Sequence, residues 1–62
     1  MVIEFVDSKA GVPVYINPDL VAAVRPDPEE PTRLTELRLK DGETLRVLGD
    51  EEEVAEKLGR AT

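Results

Sequence analysis

A chain of 62 residues with no cysteine and no histidine cannot form a disulfide, a thiolate or imidazole metal site, or a histidine-based acid–base centre. Its 14 acidic and 8 basic residues give a net charge of −6, which opposes generic binding to phosphate backbones and to anionic lipid. A single domain of this size, spanning 1–62, buries only about 60% of the surface its unfolded chain exposes, so the expected staple is self-association or a protein partner.

Residues 2–6 are short, apolar and β-branched, and predict a first strand with Ile3 and Phe5 on its core face. Asp7-Ser8-Lys9-Ala10-Gly11 is turn chemistry. Residues 12–16 then alternate, with Val12, Val14 and Ile16 on one face and Tyr15 on the other, so the two segments read as a hairpin. Pro13 has no N–H for a ladder, which places this strand at an edge or starts it there. Asn17-Pro18 breaks the alternation: Asn17 suits a turn, and the fixed φ of Pro18 suits the first position of one helical turn. A third strand is expected over 21–25, although Val21 and Val24 sit at a helical rather than a strand spacing.

Residues 26–31, with three prolines and three acids, predict a solvated Pro/Glu-rich loop that need not be ordered. A second hairpin follows over 32–48. A two-residue Asp41-Gly42 turn would split Leu37 and Leu39 from Leu45 and Val47 across the sheet. A three-residue Lys40-Asp41-Gly42 loop, with Gly42 left-handed in a G1 bulge, pairs Leu37 with Leu45 and Thr35 with Val47 and gathers all four apolar residues on one face. The other face then carries Glu36 opposite Arg46, expected as an ion pair, and Leu34 opposite Leu48. Those two leucines await a cover from the C-terminal helix or a partner, or are simply exposed, as single surface leucines often are. The helix begins after Asp50, a good N-cap with Glu53 three residues on, and presents a narrow stripe of Val54, Leu58 and Ala61; Lys57 and Arg60 suit its C-terminal end. Glu53 and Lys57 are spaced for an i,i+4 pair. The fold class is therefore α+β, a small antiparallel sheet of about five strands that can curve toward a barrel, with one C-terminal helix.

No catalytic, cofactor-binding or metal-binding residues emerge. Consecutive acids at 50–53 point in different directions along a helix and lack the spacing of a calcium loop. Ser8 has no histidine, Lys9 no apolar pocket, and the four glycines form no phosphate loop. A domain this small has little room for a cleft holding paired carboxylates. The chain has no basic-then-apolar leader and no apolar run approaching the roughly 18 residues of a membrane span. A cytoplasmic setting with no membrane insertion is expected. The candidate interface comprises Leu34, Leu48 and Tyr15, while Asn17, Pro18, Asp41 and Gly42 are assigned to turns.

Three blocks carry a resemblance: Gly11-x-x-Val14-Tyr15-Ile16-Asn17-Pro18-Asp19-Leu20-Val21, Leu37-x-Leu39-x-Asp41-Gly42-x-x-Leu45-x-Val47, and Glu53-Val54-x-x-x-Leu58. Over nearly the whole chain they are similar to the FlbD/SwrD family of small flagellar proteins. That resemblance implies a non-enzymatic bacterial protein linked to motility, with Asn17, Pro18, Asp41 and Gly42 structural. The part from Tyr15 onward also resembles the C-terminal half of LytTR-type DNA-binding domains, which would imply a nucleic-acid-binding or regulatory protein using Arg25, Arg33, Arg38 and Arg46. Where that family has DNA-contacting basic residues, this chain has Leu48, Gly49, Asp50 and the acids at 51–53, so a nucleic-acid partner is disfavoured. A self-associating protein-interaction module without enzymatic activity is the leading expectation.

Overall fold

The computed structural model describes residues 1–61, with side chains described through Gly59; the expected roles of Arg60 and Ala61 lie outside those side chains. Strands β1 (Ile3–Val6) and β2 (Pro13–Ile16) form one antiparallel hairpin, and β3 (Val21–Pro26), β4 (Leu34–Leu39) and β5 (Thr44–Leu48) form a second antiparallel sheet in the order β3-β4-β5. Helix α1 (Glu51–Ala61) follows. The five strands do not close into a barrel. They are joined where β1 meets β5: Asp7 bridges Val47, and Ser8 N donates to Arg46 O at 2.9 Å. The junction stays this short because Gly49, at a φ of 117°, turns the chain out of β5 and into α1 immediately after Leu48.

The expected hairpin register is present in full. Leu37 opposes Leu45, Thr35 opposes Val47, Glu36 opposes Arg46 and Leu34 opposes Leu48. The turn closes with Leu39 N donating to Glu43 O at 2.8 Å and Gly42 N to Leu39 O at 3.0 Å. Asp41 Oδ1 accepts from Glu43 N at 2.9 Å. Gly42 sits at a φ of 96°, and a Cβ there would meet nothing within 4 Å. Replacing it costs only backbone strain, so Gly42→Ala should lower stability by about 1 kcal/mol, and Gly42→Asn by less, since asparagine tolerates the left-handed region. Thermal denaturation of the three proteins side by side checks that order.

The helical spacing of Val21 and Val24 has a strand explanation. Val21 opposes Leu39 and Ala23 opposes Arg38, so Ala22 is an extra residue and β3 carries a bulge. The slip restores the phase: Val24 opposes Leu37, and both valines pack against the core. Before β3, Asn17 caps a single 3₁₀ turn (Pro18–Leu20), its side chain accepting from Asp19 N at 3.0 Å. Pro18 occupies the first turn of that helix, where a missing N–H is harmless. Val12 falls before β2 rather than within it and is exposed.

The core is the inner face of both sheets against α1. Phe5, Ile16, Leu37, Val47, Val54 and Leu58 form its buried centre. Asp50 Oδ1 caps the helix by accepting from Glu53 N at 2.8 Å. Thr35, also inward and fully buried, satisfies its hydroxyl by donating to Gly49 O at 2.8 Å. Lys57 bypasses Glu53 and ties the helix to β1: its Nζ donates to Glu4 O at 2.6 Å and lies 4.7 Å from the centre of the Phe5 ring. The helix therefore covers the inner face and leaves Leu34 and Leu48, on the outer one, uncovered by it.

Candidate protein-interaction face

Register alone builds the outer face. Pro13 opposes Val6 on β1, the Asp7–Val47 bridge sets Val6 beside Leu48, and Leu48 opposes Leu34. An apolar row thus crosses four strands, with Tyr15 one step along β2 from Pro13, opposite Glu4. Of the three expected interface residues, Tyr15 is 64% exposed and Leu48 44% exposed. Leu34 is corrected: at 6% exposure it is part of the interior.

Leu34 is buried because the loop before it is ordered. The acids expected to be solvated are led by Asp27, which is fully buried. Its Oδ2 accepts from Glu29 N at 3.2 Å and Glu30 N at 2.9 Å, and its Oδ1 accepts from Arg46 Nε at 2.8 Å and lies 2.6 Å from Nη2. The guanidinium, with Nε and Nη2 both converging on Oδ1, and the two peptide N–H groups on Oδ2 fold residues 27–30 onto the sheet. Leu34 N then donates to Glu30 O at 2.9 Å and Asp27 N to Leu34 O at 3.2 Å, which seats Leu34 in the angle between loop and strand. Burial pushes the Asp27 carboxyl up, but the Arg46 hydrogen bond, the Glu30 and Glu29 N–H groups and the Arg46 charge outweigh it, so its pKa falls below the ordinary carboxylate value. Arg46 is shifted up, chiefly by the same hydrogen bond.

This clasp replaces the expected Glu36–Arg46 ion pair. The two residues are opposed in register, yet Arg46 turns to Asp27 and Glu36 pairs with Arg25 at 3.6 Å. A buried carboxylate attracts a guanidinium more strongly than a partly exposed one does, since less water screens it. The pairing of Asp27 and Arg46, 19 positions apart, was missed in the sequence. The available signal was Asp27 itself, an aspartate set to accept from N–H groups two and three residues ahead, as asparagine and aspartate do in turns.

Leu48 stands between two hollows. On one side a groove of about 300 Å³ runs between β1 and α1, floored by Phe5 and Val54 and rimmed by Glu4, Glu53 and Lys57. On the other, a hollow of about 560 Å³ lies among Ser8, Lys9, Glu30, Arg33, Leu34 and Arg46. The exposed sheet edges are poorly suited to strand addition. β2 begins with Pro13 and β3 ends with Pro26, and each pairs on one side only.

Charge divides unevenly between the two sides of the molecule. The strands and the clasp of the outer face carry Glu4, Asp27 and Glu36 against Arg25, Arg38 and Arg46, and the hollow beside Leu48 adds Lys9, Glu30 and Arg33. The excess negative charge includes the helix cap and first turn, Asp50, Glu51, Glu52 and Glu53. Among the described residues, no group of three or more acids is arranged to hold a metal ion, and no helix is long and apolar enough to cross a membrane.

The fold and this face define a small α+β protein with a nearly charge-balanced, partly apolar sheet surface. No protein-family model matches the chain, and no curated protein or solved structure matches it.

Proposed function

We propose that this chain is a non-enzymatic protein-interaction module that self-associates through its outer sheet face, in the manner of an accessory protein rather than a catalyst. The observation that carries the reading is the Pro13–Val6–Leu48 row, apolar and crossing three strands on a face whose positive and negative ions nearly balance. A second copy can approach that face without meeting the half of the −6 charge that the Asp50 cap and α1 carry. Three of the four arginines considered for nucleic acid are matched to carboxylates: Arg25 to Glu36, Arg33 to Glu30 and Arg46 to Asp27. That supports a protein partner over a phosphate backbone. The resemblance of the turn and strand motifs to the small flagellar proteins supports a role in bacterial motility and a cytoplasmic setting as part of this proposal.

Leu48→Glu separates association from folding, because Leu48 is on the surface and outside the buried core. Sedimentation equilibrium should show the parent associating at micromolar to millimolar concentration, the range open to a small interface. The variant should stay monomeric, with an unchanged circular dichroism spectrum. A parent that remains monomeric throughout that range would remove the self-association reading.

A further inference from the structure

The outer face also specifies how two copies meet. Its ions are not all satisfied within the chain: Arg46 is held by Asp27 and Arg25 by Glu36, whereas the Glu4 carboxylate and the Arg38 guanidinium have no ion-pair partner among the described residues. These two lie on opposite sides of Leu48. Strands β1 and β4 flank β5, and both run antiparallel to it, so they point the same way. Glu4 precedes Val6 on β1, while Arg38 follows Leu34 on β4. The two charges are therefore displaced from Leu48 in opposite directions both across the strands and along them.

We infer that the chain forms a two-fold symmetric dimer in which the Leu48 side chains meet beside the axis and Glu4 of each copy pairs with Arg38 of the other. A two-fold contact is self-complementary by construction, so a residue and its partner residue are exchanged between copies. Glu4 lies two residues before the Leu48 level on β1 and Arg38 four residues beyond it on β4, so the axis that exchanges them lies in the plane of the contact, crosses β5 about one residue from Leu48 toward Arg46, and brings unlike charges together twice. The hollow next to each Leu48, lined by Leu34 and Arg46, receives the Leu48 of the other copy. This arrangement rests on the self-association proposed above and adds its register.

Charge reversal tests it. Glu4→Arg moves the net charge from −6 to −4, and Arg38→Glu moves it from −6 to −8. General repulsion would change association in opposite directions in these two variants. The specific pairing weakens it in both, by about tenfold or more, because each change creates two like-charge contacts per dimer. The double variant should regain most of the parent affinity. An equimolar mixture of the two single variants should form a heterodimer tighter than either homodimer, since every pair in it is again unlike. Sedimentation equilibrium at low ionic strength reads all five samples, with circular dichroism confirming the fold of each. Parent-like association of both single variants, or a double variant as weak as the singles, overturns the register while Leu48→Glu sensitivity leaves self-association standing. A monomeric parent overturns both.

Discussion

Leu37→Ala is expected to remove about half of the protein's stability. Leu37 is fully buried, opposed by Val24 and Leu45 and packed in the cluster that holds Val47 and Val54. Deleting a buried leucine side chain costs about 3 kcal/mol or more, the transfer term plus the cavity left behind. A chain of 62 residues has a total of about 3–9 kcal/mol to lose. Denaturant titration should show a midpoint shifted far to lower concentration, with loss of the native baseline if the parent lies at the low end of that range. Leu37→Met, which conserves volume, should cost less than about 1.5 kcal/mol. Leu39→Ala, at a position only partly buried, should fall between them. Equal effects at positions 37 and 39 would mean that the core is not centred on Leu37.

Asp27→Ala is the second large effect, and it acts through the loop. The substitution leaves Arg46 and the N–H groups of Glu29 and Glu30 without their shared acceptor. Stranding polar groups costs more than losing a neutral pair, and the melting temperature should fall by on the order of 10 °C for a domain of this size. Amide exchange should show the loss first at Leu34, whose N–H is bonded to Glu30 O. Acid should reproduce part of the effect. The Asp27 pKa is lowered on folding, so its contribution is complete above the unfolded carboxylate value of about 3.9 and is lost as pH falls through the lower, folded value. Asp27→Asn removes that group's share of the acid dependence while keeping an acceptor oxygen. A parent and an asparagine variant with the same stability–pH curve below about 4 would show that Asp27 does not titrate as a clasped carboxylate.

Both experiments bear on the surface proposed for association. The clasp holds Leu34 inside and Arg46 at the edge of the hollow beside Leu48, so loosening it changes the face without touching Leu48. The core holds the sheet to α1, and Lys57 fastens that helix to β1 at Glu4 O, next to one of the two ions assigned to the dimer contact.

What could be read in the chain was local or periodic. The three-residue turn followed from keeping Leu37, Leu39, Leu45 and Val47 on one face, and Gly42 takes the left-handed conformation that turn demands. The Asn17-Pro18 cap, the Asp50 cap and the inward positions of Phe5, Val54 and Leu58 follow from capping chemistry and from spacing. These depend on a few neighbouring residues, so a linear sequence displays them. Three features belong to the tertiary structure. The bulge at Ala22 reset the phase of β3, because pairing with β4 outweighs the period of one strand. The hairpin and the three-stranded sheet remained distinct, because α1 departs where β5 would have met more of β1. Arg46 chose Asp27 over Glu36, because a desolvated carboxylate with two peptide N–H groups outcompetes the residue directly opposite. Each is a competition between partners distant in the chain, and only the folded molecule brings the competitors together.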